Sequence, residues 1–271
     1  MFNVNKKPVN RNVNEFFLDF GKEFAKEAGS IIRADFNKKE FTLKEDNTPV
    51  TKTDVKINEM LIEKVSSTFN THQVLGEERS VLKSNATYTW VCDPLDGTIS
   101  FLHGSPTCSF SLALLKNEVP IIGITTDPFM DRLYVAGLGN GATLNGKKIS
   151  TSNKNKLKNA VIGMSYWPGA QIELFNAHKN LVKAGASVLM LGSIVYSGNL
   201  VASGDFDAAI HPARFTYDSA ALSVIIPQAG GKVTSLTGKE QRYVDNEIFG
   251  AVMSNGLINK ELFEVLSKSI R

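Results

Sequence analysis

The chain has 271 residues, 42% hydrophobic and 21% charged, with a formal net charge of +3, the balance of a globular protein with one or two cores rather than a disordered or fibrous chain. No apolar run approaches the roughly 18 residues that cross a bilayer, and the opening residues Met1 to Lys7 carry no apolar stretch of a secretory signal. The lysines are scattered, with small clusters at Lys6-Lys7, Lys38-Lys39 and Lys147-Lys148, so no nucleic-acid partner and no membrane partner is expected.

From Asn14 to Phe36 the apolar residues Phe16, Phe17, Phe20, Phe24, Ala28, Ile31 and Ile32 recur at helical steps, predicting an amphipathic helix capped by Asn12 or Asn14. Lys44 to Pro49 reads as a polar turn region. Asp54 is expected to cap a second helix whose inner face carries Ile57, Met60, Leu61, Val65 and Phe69. Strands are predicted at Tyr88–Cys92, Phe110–Leu115, Pro120–Thr126 and Leu133–Ala136. The second and third are joined as a hairpin, and Asn145-Gly146 marks a tight turn.

The polar stretch Ser150–Lys158 is the best boundary, dividing an N-terminal α+β half (1–150) from a C-terminal α/β half (151–271) within one catalytic unit. Beyond it, helices are predicted at Ile172–Ala184, Ser193–Ala202, Asp218–Gln228 and Asn259–Ser269. Strands are predicted at Val188–Leu191 and Asp207–Ile210, with one more before the last helix, and Gly230-Gly231 ends the third of those helices. Strands clustered in sequence and flanked by helices argue for a layered α/β protein with mixed sheets.

The most informative segment is Trp90-Val91-Cys92-Asp93-Pro94-Leu95-Asp96-Gly97-Thr98, an apolar strand running into two aspartates. Pro94 restricts the backbone between them. Adjacent fixed carboxylates repel unless a cation lies between them, and hard oxygen ligands suit Mg²⁺. Gly97 permits close backbone approach to a ligand, and Thr98 opens a short helix whose free N–H groups could meet a phosphate. Taken alone, Asp-Pro and Asp-Gly also make an ordinary turn. Gly76-Glu77-Glu78 follows another short apolar run, Asp54 lies in Thr51-Lys52-Thr53-Asp54, and Asp218 precedes Ser219-Ala220-Ala221. Separately these read as a solvated loop and two helix caps.

In their order, Thr-Asp, Gly-Glu-Glu, Asp-Pro-Leu-Asp-Gly-Thr and Tyr-Asp-x-Ala-Ala ending in Ala-Gly-Gly resemble the inositol monophosphatase family, from about Lys44 to Gly231. The resemblance implies a layered α-β-α-β-α sandwich of the sugar-phosphatase type. It also implies a Mg²⁺-dependent, lithium-sensitive phosphomonoesterase, a homodimer with two to three Mg²⁺ per active site. By the same resemblance, Glu77, Asp93 and the Leu95 carbonyl would hold one metal. Asp93, Asp96 and Asp218 would hold a second, and a third would lean on Glu77 through waters. Thr98 would orient the attacking water and pass its proton towards Asp54, while Asp96 and the Gly97 and Thr98 amides would meet the substrate and its phosphate.

The chemistry fits, because a phosphate dianion repels hydroxide and two metals roughly 3.5–4 Å apart would both neutralise it and activate water. Cys92 and Cys108 are too few for a disulfide framework and have no C-x-x-C spacing, so reduced thiols and a cytoplasmic location are expected. Both read as packing residues rather than nucleophiles. His72, His103, His178 and His211 form no ligand cluster, so zinc is not expected.

Gly192, Ser193 and Ile194 correspond to residues that line the alcohol side of the family's pocket, with Ile194 where inositol-cleaving members usually have alanine. His211, seven residues ahead of Asp218, stands where those members commonly carry glutamate. An imidazole can bond a hydroxyl but lacks the carboxylate's acceptor strength. Inositol-1-phosphate-like substrates come first. Tyr217 before Asp218 also resembles the histidinol-phosphatase branch, and 3′(2′),5′-bisphosphate nucleotides are the third possibility. A metal-binding regulatory relic would have lost a ligand, whereas Asp54, Glu77, Asp93, Asp96 and Asp218 are all present. A polyanion-binding module is the remaining non-enzyme alternative.

Overall fold

The computed structural model of the chain describes residues 13–45, 47–167, 170, 172–213, 215–243 and 248–270. Helix α1 (Val13–Asp35) buries Phe17, Phe24, Ala28 and Ile32 along one side, while Phe16 is exposed. Asn14 lies inside the helix and Asn12 outside the described residues. A small hairpin follows, β1 (Phe41–Leu43) against β2 (Pro49–Thr51), with its connection in the predicted turn region and two strands that were not predicted. Helix α2 (Lys52–Thr68) packs Ile57, Leu61 and Val65 inward. Its cap is Thr51, not Asp54. The Thr51 hydroxyl accepts from the amides of Thr53 (3.2 Å) and Asp54 (3.3 Å), and the Asp54 carboxylate accepts from the Thr51 amide (2.9 Å). Asp54 is thus the third helical residue of a capping box.

A seven-stranded sheet is built from β3 (Gln73–Gly76), β4 (Tyr88–Asp96), β5 (Ser109–Lys116), β6 (Val119–Asp127), β7 (Arg132–Gly137), β8 (Ala142–Leu144) and β9 (Lys147–Lys148), in chain order across the sheet. Only the β3–β4 pair of this sheet is parallel. The predicted hairpin is β5–β6, whose turn residues Asn117 and Glu118 both have positive φ, 47° and 68°, as a two-residue turn matched to strand twist requires.

A five-stranded mixed sheet contains β10 (Val161–Met164), β11 (Ser187–Leu189), β12 (Ala208–His211), β13 (Lys232–Thr234) and β14 (Ala251–Ser254), in the order β11-β10-β12-β14-β13. Five layers result. On the outside, α1 and α2 cover one face of the larger sheet. Between the sheets lie α5 (Ile194–Ala202) and α6 (Leu222–Gln228). The far face of the smaller sheet is covered by α4 (Phe175–Lys183) and α7 (Asn259–Ser267). This is the layered α/β architecture expected.

Strand β4 shows how the two-residue period directs the core. Trp90 and Cys92 join the cluster beneath α1 and α2, and Val91 joins Ala220 and Ala221 on the opposite face. Two details depart from expectation. The connection after β9 is anchored, since the Ser152 hydroxyl donates to Asp207 (2.6 Å) and Leu157 is buried. The helix predicted from Asp218 is split into a 3₁₀ turn at Thr216–Asp218 and α6 starting at Leu222. Ser219, with φ −142°, interrupts the helical path.

Candidate active site

The C-terminal end of β4 is the centre of the site. Asp93 lies opposite Ser111 and Asp96 opposite Ser109, so β4 carries one residue more than its partner there. Such a bulge re-aims the side chains that follow it, and Pro94, with no N–H to donate, lies within it. The Asp93 carboxylate accepts from the Leu95 amide at 3.0 Å. Parallel pairing of β3 sets Gly76 beside Cys92, and the Glu77 amide donates to the Cys92 carbonyl at 3.1 Å. Gly97 closes the motif in a left-handed conformation (φ 90°), where a Cβ would meet the Thr107 carbonyl at 3.0 Å and the Ser193 Cβ at 3.1 Å. Helix α3 (Thr98–Leu102) follows, and it is short.

Three other segments reach this end. The first turn of α2 brings Asp54, whose Oδ1 accepts from the Thr98 hydroxyl at 3.4 Å; that hydroxyl also lies 3.1 Å from the Leu95 carbonyl. The start of α5 holds Asp96, since Ser193 donates its hydroxyl to Oδ2 and the Val195 amide donates to the same oxygen at 2.6 Å. Ser193 also caps α5 by accepting from the Tyr196 amide at 2.9 Å. The 3₁₀ turn presents Asp218, whose Oδ2 accepts from the Phe215 amide at 2.7 Å.

These carboxylates act on one another. Burial, followed by the charges of Glu77, Asp96, Asp218 and Asp54, pushes the Asp93 carboxyl well above the ordinary range. Asp54 is raised to about 6, by burial first and with a contribution from Glu77, against the bonds from Thr51. Asp96 is raised as well, chiefly by burial, although Ser193 and Val195 stabilise its charge. All five acids proposed from the sequence therefore share one electrostatic neighbourhood, drawn from four stretches of chain.

Sequence reasoning did not single out Lys44 or give Glu78 a role. The Lys44 ammonium donates to Glu77 Oε1 (2.7 Å) and Glu78 Oε1 (2.8 Å). Burial and the neighbouring Glu77 raise Glu78 to about 7. The available signal was a lone lysine in a polar turn ahead of Gly-Glu-Glu, which is weak without the pairing of β1 and β2.

The predicted alcohol side is less well presented. Gly192 is exposed, but Ser193 and Ile194 are buried, and Ser193 is already committed to Asp96 and the α5 cap. His211 is a correction. It is fully buried at the end of β12, and neither ring nitrogen has a hydrogen-bond partner among the described residues. Burial lowers it to about 3, so the ring is neutral, and no ring nitrogen is offered to a ligand at the surface. Cys92 and Cys108 are buried thiols pushed upward, chiefly by burial.

A neighbouring polar cluster ties the layers together. Buried Asp127, ending β6, accepts at Oδ1 from Ser109 (2.8 Å) and from Asn199 of α5 (2.7 Å). Its other oxygen has no partner among the described residues, and burial raises its pKa to about 7.

The donor set suits a hard cation, because buried carboxylates that raise one another's pKa are relieved by positive charge. Among the described residues no three acidic, imidazole or thiol groups already converge as a metal cage. Glu77, Asp93, Asp96 and Asp218 are each engaged with a protein partner instead.

The family model for the inositol monophosphatase family matches residues 13–271. The chain belongs to the inositol monophosphatase family. It is 33% identical over 228 residues to an Arabidopsis thaliana protein named bifunctional phosphatase IMPL2, chloroplastic, covering 82% of this chain and 65% of that longer protein. It is 28% identical to inositol monophosphatase 1 of Bos taurus, covering 94% of both chains. Among solved structures, an IMPase from Thermotoga maritima superposes with a TM-score of 0.85 at 26% identity, covering 94% of this chain and 98% of that one. This inositol monophosphatase-family member is a phosphatase, a phosphoric monoester hydrolase of a metal-dependent family that acts on small phosphorylated substrates. None of its described helices is long and apolar enough to cross a membrane.

Proposed function

We propose that this phosphatase hydrolyses an inositol-1-phosphate-like monoester with Mg²⁺ at the carboxylate cluster. The observation that carries the reading is the gathering of Asp54, Glu77, Asp93, Asp96 and Asp218 about the end of β4, where burial and the other four charges push the Asp93 carboxyl up, a repulsion that cations would offset. Glu77, Asp93 and the Leu95 carbonyl would hold one ion, and Asp93, Asp96 and Asp218 another, with Asp93 shared between them. A third would be held more loosely at Glu77. A metal held by these residues would supply a water of lowered pKa and positive charge to offset the phosphate and the departing alkoxide.

The remaining work falls to this chain's residues. Thr98 donates to Asp54 at 3.4 Å, a geometry suited to orienting a water and passing its proton to a carboxylate already raised to about 6. Gly97, in its left-handed turn, has no room for a side chain beside the Thr107 carbonyl and the Ser193 Cβ, and the phosphate would meet the Gly97 and Thr98 amides. Gly192 is the exposed residue of the proposed alcohol side. Because His211 is neutral and enclosed, hydroxyl recognition would fall mainly to residues other than His211. The family relationship extends the proposal to a cytoplasmic, lithium-sensitive homodimer.

A phosphate-release panel with Mg²⁺ tests the reading, comparing inositol 1-phosphate, histidinol phosphate, 3′-phosphoadenosine 5′-phosphate and fructose 1,6-bisphosphate. Inositol 1-phosphate should be turned over fastest, and EDTA should stop the reaction. Release that persists in EDTA, or a higher kcat/KM for another substrate, defeats the corresponding part of the proposal.

A further inference from the structure

Every residue of α5 is buried between the two sheets, and most of them are apolar. Its two polar residues, Ser197 and Asn199, bond in different directions. Ser197 turns back along the helix, its hydroxyl donating to the Ser193 carbonyl at 2.8 Å. Asn199 reaches across to β6, where its Oδ1 accepts from the Thr125 hydroxyl at 2.6 Å and its Nδ2 donates to Asp127 Oδ1 at 2.7 Å. Thr125, Asp127 and Asn199 are all fully enclosed. Thr125 and Asp127 stand two residues apart on one strand, so both groups face the helix.

These bonds complete a circuit around Asp96. Ser109, the backbone partner of Asp96 in β5, donates its hydroxyl to the same Asp127 oxygen at 2.8 Å. At the other end of the circuit, the start of α5 holds the Asp96 carboxylate through the Ser193 hydroxyl and the Val195 amide. Asn199 lies four residues beyond Val195, about 6 Å along the helix axis. A buried polar network adds little stability over apolar packing, but it is satisfied in one arrangement only. A slip of α5 along β6 would leave the Asn199 amide and the Thr125 hydroxyl unpaired in the interior, whereas an apolar side chain would define the position less sharply.

We propose that Asn199 is a positioning residue of the phosphatase site, setting the register of α5 on β6 so that Ser193 and Val195 hold Asp96 in place. The inference rests on the reading given above that Asp96 serves the reaction. Asn199 is enclosed and acts through Asp96.

Asn199→Leu keeps the branched shape of the side chain and removes both bonds. In EDTA, without turnover, amide exchange followed by nuclear magnetic resonance should quicken about tenfold at Val195 and stay as in the parent across β10 and β12. At saturating Mg²⁺, kcat should fall about tenfold while KM changes less than twofold. In the double variant with Ser193→Ala the two losses in kcat should not multiply, because both release the same carboxylate. Unchanged exchange at Val195, an unchanged kcat, or losses that multiply would each overturn the proposal, even if the melting temperature fell. Should Asn199→Leu not fold, Thr125→Val decides, since it removes one bond with little change of shape. It should give the same pattern at about threefold, and parent-like exchange at Val195 would count against the register role. Asp96→Asn separates the two readings. If it keeps the parent's kcat, the reading of the site fails and this inference with it; if it is inert while Asn199→Leu matches the parent, only the role of Asn199 fails.

Discussion

Asp93 is buried and receives repulsion from four other carboxylates, so it is the position where loss of one charge should separate folding from function. Asp93→Asn should lower turnover at least a hundredfold. Its circular-dichroism melt in EDTA should match or exceed the parent's, because a buried charge has gone; near-normal phosphate release would refute the bridging role. Thr98→Ala should reduce kcat about 10- to 100-fold while changing the Mg²⁺ concentration for half-activation little, as for a residue that orients water. Equal losses in both would make Thr98 a metal-site residue instead. The five acids were singled out because their motifs stand in the order of the inositol monophosphatase family; read separately they were a turn, a solvated loop and two helix caps. Lys44 was not, because its role depends on where a hairpin turn falls in space. His211 has a readable position, but its enclosure comes from layers assembled around β12.

Helix α5 owes its start to Ser193, which both caps it and donates to Asp96. Ser193→Ala should cost about 1 kcal/mol in urea unfolding as a lost cap, and should also lower kcat by releasing Asp96. An unchanged kcat would mean that the Val195 amide alone suffices to hold the carboxylate. Gly97→Ala should destabilise more, by about 1–3 kcal/mol, since it adds a left-handed penalty and a contact at 3.0 Å with the Thr107 carbonyl. Elements with a sustained period, such as α1 and β5–β6, were legible because the apolar residues alone define their buried face. The hairpin β1–β2 was hidden because its strands have three residues each and the first is exposed. The start of α6 was misplaced because aspartate favours helix starts in general, whereas Asp218 here turns back to the Phe215 amide.

Over the whole molecule, Asp54, Glu78 and Asp127 are raised to about 6, 7 and 7. Asp93 and Asp96 are raised as well, and these acids outnumber His72 and His211, whose lowered values act the other way. The folded chain therefore binds more protons than the unfolded one between roughly pH 4 and 7, and stability falls as pH rises through that window. In EDTA the melting temperature should be higher at pH 5 than at pH 8. Mg²⁺ at a hundredfold excess over its Kd should restore about 2.7 kcal/mol at pH 8 for each ion held. A melting temperature that rises with pH in EDTA would contradict the buried-carboxylate account. A layered α/β protein with mixed sheets was legible from the order of the elements, and its five layers from the family resemblance, but the ties between its sheets were not. Those from α5 run to three residues of the larger sheet, Asp96, Thr125 and Asp127. Severing the chain between 149 and 160 would leave Asp54, Glu77, Asp93 and Asp96 on one fragment and Ser193, Asn199 and Asp218 on the other. Each fragment should be inert by itself, and activity should return on mixing, with the same three tethers serving as the rendezvous.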